Sequence, residues 1–76
     1  MNRQLNKIAK NNAKKIINQI ESRRKKYNVS ITNLAKRCDI SRQSYYNIRD
    51  YKHIPSVELV FKLAEVTHLN LFKNNL

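Results

Sequence analysis

Glycine is absent from this chain of 76 residues, proline occurs once, and there is no tryptophan. Without glycine there is no loop of the kind that cradles a nucleotide's phosphates. Tight two-residue hairpins are disfavoured and helices favoured. The single cysteine, Cys38, excludes an intramolecular disulfide framework and fits a reducing compartment. No apolar run approaches the roughly 18 residues of a membrane span. Lys and Asn break every stretch from Leu5 to Ile20, so no secretory leader is expected and the expected compartment is the cytoplasm. His53 and His68 have no Cys, Asp or second His at ligand spacing, so neither a metal site nor a cofactor is expected. No Ser–His–Asp arrangement supports nucleophilic catalysis, and the chain does not read as an enzyme.

Acidic residues are scarce too. Five Asp and Glu stand against sixteen Lys and Arg, a formal net charge of +11. An imbalance of that size on one small domain points to a polyanionic partner, either nucleic acid or an anionic membrane surface. The excess is uneven: residues 1–27 hold nine bases and one acid, and the rest hold seven bases and four acids. A basic segment over residues 1–12, either an arm or a helical extension, is therefore expected ahead of a more balanced domain over 13–76. So short a chain buries only about 60–65% of its unfolded surface, and self-association is a common route to extra stability.

The apolar pattern is helical throughout, and an all-α bundle of four to five helices is expected. Ala9, Ala13, Ile16, Ile17 and Ile20 share one face of a first helix, with Lys and Asn on the other. That helix ends at Tyr27-Asn28, where Asn tolerates the left-handed turn that glycine would otherwise supply. Ser30 is the N-cap of a second helix running to about Cys38, with Val29 and Leu34 at the positions of a hydrophobic staple. The signature recurs eleven residues on, with Ser41 as cap and Ile40 and Tyr45 as staple. In that third helix Tyr45 and Ile48 point inward, and Arg42, Gln43, Tyr46, Asn47 and Arg49 form the outward face. Two short helices joined by Asp39-Ile40 have the spacing of a helix-turn-helix. Pro55 and Ser56 open a fourth helix, and His68 ends it. Its apolar stripe, Val57, Val60, Phe61 and Ala64 with Leu59, Leu63 and Val66 beside it, is too wide for a helix packed on one side. Either the helix lies deep in the core or it is shared with a second subunit. Asn70 can cap a last short turn containing Leu71 and Phe72.

Over Ile16 to Phe72 the chain resembles the lambda-repressor-like or Cro-type helix-turn-helix family. The likeness is carried by Ser30–Ser41 (SITNLAKRCDIS), Ser41–Ile48 (SRQSYYNI) and Pro55–Leu71, in the family's order and without gaps. There are departures. Ile31 stands where a phosphate-contacting Gln is common, and Asp39 replaces the usual turn glycine. Arg49 and Tyr51 stand where Glu and Gly are common, and Arg23 occupies a usually apolar position. With Arg49 in place of Glu, the family's pairing to an Arg late in the first helix cannot form, so Arg24 is expected to be free for solvent or DNA.

The resemblance implies that the third helix enters the major groove of double-stranded DNA with its N-terminal residues at base edges. Arg42, Gln43, Ser44 and Asn47 are then the base-contacting candidates, since Arg can pair bidentately with guanine and Gln or Asn with adenine. Tyr46, Arg49, Lys52, Lys10 and Lys14 are the candidates for secondary or phosphate contacts. A homodimer on a palindromic operator is expected, with Phe61, Leu69, Leu71 and Phe72 as its surface. No small-molecule ligand and no membrane partner are expected. The basic first helix lacks the Trp or Phe of a membrane-surface helix. The alternative is a protein-interaction module of antitoxin or inhibitor type, in which DNA binding is secondary.

Overall fold

Three serines and four left-handed residues punctuate this fold. The computed structural model describes residues 3–71, which form four helices in an all-α arrangement. They are α1 (Arg3–Lys26), α2 (Ile31–Arg37), α3 (Arg42–Arg49) and α4 (Val57–Val66). The hydroxyl oxygen of Ser30 accepts from the Asn33 amide, that of Ser41 from Ser44, and that of Ser56 from Leu59. Each satisfies one of the orphan amides at its helix start.

The helix ends are equally uniform. Asn28, Asp39, Tyr51 and His68 all have φ between 57° and 64°. After each, the following amide reaches back to a carbonyl five residues earlier: Val29 to Arg24, Ile40 to Ala35, Lys52 to Asn47 and Leu69 to Ala64, at 2.8–3.0 Å. This is the Schellman closure, usually built on glycine. A chain without glycine builds it four times on other residues. Asn and Asp tolerate that conformation, whereas a bulky side chain such as Tyr51 meets a steric cost there.

Schellman ends turn the next residue back onto the helix, and here that residue is usually apolar. Val29 and Ile40 pack against the core, and Leu69 lies within it. The core itself gathers Ile20 of α1, Leu34 and Cys38 of the α2 region, Tyr45 of α3, and Leu63, Ala64 and Val66 of α4. Cys38 is buried, and that burial pushes its thiol pKa up. Thr67 is also buried, with its hydroxyl donating to the Leu63 carbonyl at 2.7 Å.

One expectation needs correction. Leu69 is only 6% exposed and sits in the core, so it is not available to a dimer surface. The wide stripe of α4 is divided. Leu63, Ala64 and Val66 are buried, while Val57 is 72% and Phe61 43% exposed. The expected last turn extends to Phe72, which lies outside the described residues.

The basic N-terminal segment is helical from Arg3 on. The early turns of α1, with Lys7, Ile8 and Lys10 exposed, run beyond the core that begins at Ile16 and Ile17. Arg23, at a position expected to be apolar, is half-buried and donates to the His68 carbonyl at 3.1 Å. Tyr27 packs beside the His68 ring with centroids 4.6 Å apart. Both contacts hold the end of α4 to α1.

Candidate nucleic-acid interface

α2 and α3 pack on each other through Leu34, Cys38 and Tyr45, and the left-handed Asp39 gives the tight turn between them. Eight residues of α3 then divide by periodicity. Tyr45 and Ile48 are buried, and the other six are exposed or half-exposed. Arg42 and Gln43 lie at the exposed N-terminal end, with Tyr46, Asn47 and Arg49 further along the outward side. Gln43 Nε2 donates to Asn47 Oδ1 at 3.1 Å, so these two amides, one turn apart, already hold one another. The Arg49 guanidinium lies over the Tyr46 ring at 4.8 Å and donates to Asp50 at 3.2 Å. Ser44 is half-buried, as Asn47 is, and its oxygen accepts from the Ser41 hydroxyl at 2.9 Å.

The orientation of α3 is set from below by a network that the sequence reading missed. The Tyr45 hydroxyl donates to Glu21 Oε1 on α1 at 2.7 Å. Arg24 donates to both oxygens of the same carboxylate, at 2.7 and 2.9 Å, and to the Val29 carbonyl at 2.9 Å. Arg24 is therefore not free for solvent or DNA. Its side chain is 14% exposed and that of Glu21 16%. The usual partner position carries Arg49, and Glu21, three residues before Arg24 on the same helix, takes over the pairing. Periodicity marks Glu21 as one more polar residue of a basic helix; only its spacing to Arg24 hinted at the pair.

The network shifts the acidities of its members. Burial pushes the Glu21 carboxyl up, but the hydrogen bonds from Arg24 and Tyr45, with the Arg24 charge, leave it below its ordinary value. Arg24 is held above its ordinary value, chiefly by the Glu21 hydrogen bond. Burial first, and then the bond to Glu21, raises the Tyr45 phenol far above the usual range. Glu21 is thus a carboxylate, Arg24 a cation and Tyr45 a neutral donor throughout the physiological range.

The expected phosphate contacts fall in two places. Arg49 stands at the end of α3. Lys10, Lys14 and Lys52 come together elsewhere, in a crevice between α1 and the segment joining α3 to α4. Of the expected dimer surface, Phe61 and Leu71 line a shallow depression of about 480 Å³ beside His68 and Asn70. Among the described residues no helix is long and apolar enough to cross a membrane.

Comparison with known families finds a match to a helix-turn-helix model, aligned to residues 20–73. It covers α2, α3 and α4 and the last turns of α1, and leaves out the first turns of α1. Comparison with curated proteins and with solved structures gives no significant match.

Proposed function

Because this chain belongs to the helix-turn-helix family of lambda-repressor and Cro type, whose members are DNA-binding regulators, we propose that it is a sequence-specific transcriptional regulator of small-repressor type. It acts as a homodimer on a palindromic operator, with α3 in the major groove. The observation that carries this reading is the outward side of α3, where Arg42, Gln43 and Asn47 stand over a buried Tyr45 and Ile48. Arg42 pairs with guanine, and Gln43 and Asn47 read adenine; each good bidentate pair discriminates by about 1–3 kcal/mol. Ser44, held against Ser41, contributes a base or phosphate contact at the groove edge. Tyr46 and Arg49 act together, since the stacked guanidinium is held toward one side of the helix. Arg49, Lys52, Lys10 and Lys14 meet phosphates, which gives affinity without sequence information.

Exposed Phe61 and half-buried Leu71, with Phe72 beyond the described residues, supply the dimer surface. Two-fold symmetry then sets the recognition helices about 34 Å apart, one turn of DNA. Selection from a random duplex pool near physiological ionic strength tests the reading. Enrichment of an inverted repeat with half-sites one turn apart supports it. Duplex binding with no enriched site removes sequence specificity from the proposal. A second reading, a module that binds another protein, draws on the exposed Ile54, Val57 and Phe61. It gains ground if the chain stays monomeric and selects no site.

A further inference from the structure

We propose that the crevice between α1 and the α3–α4 segment is a phosphate-binding site, built by Lys10 and Lys14 on one wall and Lys52 with His53 on the other. This deepens the DNA-binding reading, and rests on it only for the source of the phosphate. The crevice has a volume of about 350 Å³ and an apolar floor that includes Ala13 and Ile17. Its lining holds three lysines and no carboxylate. Ammonium groups gathered on a concave wall repel one another, and an anion seated among them removes that repulsion. Their flexible stems and point charges suit the diffuse charge of a phosphate, which needs no planar fork.

Two features hold the walls in place ahead of any ligand, and a third sets the basic character of the crevice. The amides of Lys52 and His53 both donate to the Asn47 carbonyl, at 2.8 and 3.2 Å, which ties the segment to the last turn of α3. Tyr51 joins the two walls: its hydroxyl donates to Asn18 Oδ1 on α1, and the Lys14 ammonium lies 5.3 Å from its ring centroid. Tyr51 does so at φ 64°, a conformation that is uncommon for so bulky a residue and tends to be retained where it serves a site. Lys52 is the third feature. At the other three helix ends the residue after the left-handed turn is Val29, Ile40 or Leu69, which pack in or against the core. At the end of α3 it is an exposed lysine that lines the crevice. Lys10 and Lys14 lie ahead of residues 20–73, the span that the family model matches.

One chemistry, a phosphate group, can come from two sources: a backbone phosphodiester of bound duplex, or a free phosphate compound. The test uses the full chain and its Lys14→Met, Lys14→Met/Lys52→Met and Lys15→Met variants. Lys15 is exposed on α1 but is absent from the crevice lining. Two quantities are measured: the rise in Tm with inorganic pyrophosphate against sodium chloride at matched ionic strength, and the salt dependence of duplex binding. A duplex source lowers the slope of log K against log salt by roughly 0.9 for each phosphate lost in the crevice variants, and leaves it nearly unchanged in Lys15→Met. A free-phosphate source shows as a pyrophosphate-dependent rise in Tm that the double variant loses. If Lys15→Met matches Lys14→Met in both measurements, the effect is bulk charge and the site is overturned. It is overturned equally if neither measurement responds to the double variant. A pyrophosphate response in a protein that selects no operator would keep the site and remove the DNA reading.

Discussion

The Tyr45 hydroxyl donates to the Glu21 carboxylate at 2.7 Å, joining the buried side of α3 to α1. The bond spans 24 positions of sequence and fixes the rotation of α3 about its own axis. That rotation decides which side chains face outward. Tyr45→Phe keeps the ring in the core and removes only the donor, leaving Glu21 with Arg24 alone. A hydrogen bond to a charged group is worth about 1.5–3 kcal/mol. A loss of stability in that range is expected, together with weaker binding to every duplex. Urea denaturation and a binding titration on matched and mismatched duplexes check it. A variant of unchanged stability would show that the ring alone positions α3.

Acid should loosen the same junction. Glu21 in the folded chain lies below its ordinary value of 4.5, so the folded state favours the carboxylate. The stability this contributes is fully present above the unfolded value and is lost as pH falls through the lower folded value. Tm is therefore expected to drop as the pH is taken below about 4.5, and Glu21→Gln should flatten that part of the profile. Thermal melts between pH 3 and 7 on both proteins decide the matter. Parallel profiles would assign the acid sensitivity to other carboxylates.

Asp39 allows a test of the glycine-free helix ends. It is exposed at φ 63° in the turn between α2 and α3. Glycine adopts that conformation without steric cost, and its greater freedom in the unfolded chain offsets part of the gain. Asp39→Gly is expected to stabilise the fold by up to about 1 kcal/mol, or a rise in Tm of roughly 4–8 °C at the upper end. A calorimetric scan showing a lower Tm would mean that the Asp39 side chain supports the turn.

The local features were legible in the sequence, and the long-range ones were not. Ser30, Ser41 and Ser56 could be named as caps because capping depends only on the next three residues. Asn28 and His68 could be named as helix ends for the same reason. The division of α3 into a buried side at Tyr45 and Ile48 and an outward side at Arg42, Gln43 and Asn47 follows from a period of 3.6. Arg24 was misjudged because its expected partner lay across the fold at position 49, and the substitute lay one turn back on its own helix. Leu69 was misplaced because the Schellman end at His68 turns the next residue inward, and an apolar residue beyond a helix looks exposed when only spacing is read. Lys10, Lys14 and Lys52 each had the residue type of a phosphate contact. Their meeting in one crevice depends on the length of α1 and the turn at Tyr51, which no local pattern contains.

Gln43 and Asn47 offer the most direct test of the proposed base contacts. In the free chain the Gln43 amide nitrogen is bonded to the Asn47 oxygen at 3.1 Å. A pair held this way loses less side-chain freedom on meeting DNA than two independent amides would. Gln43→Ala removes one of the two proposed base contacts and frees the Asn47 side chain. Binding to the preferred duplex should fall by about 1–3 kcal/mol, the range for a bidentate contact, and selectivity should relax at one base position. A smaller loss at the neighbouring position read by Asn47 should accompany it, because that side chain loses its restraint. Asn47→Ala should show the reverse ranking of positions. Affinities for a panel of single-base variants of the preferred duplex, measured for both proteins at one salt concentration, give the two profiles. Uniform weakening across the panel would mean that α3 meets only the backbone and that bases are read elsewhere.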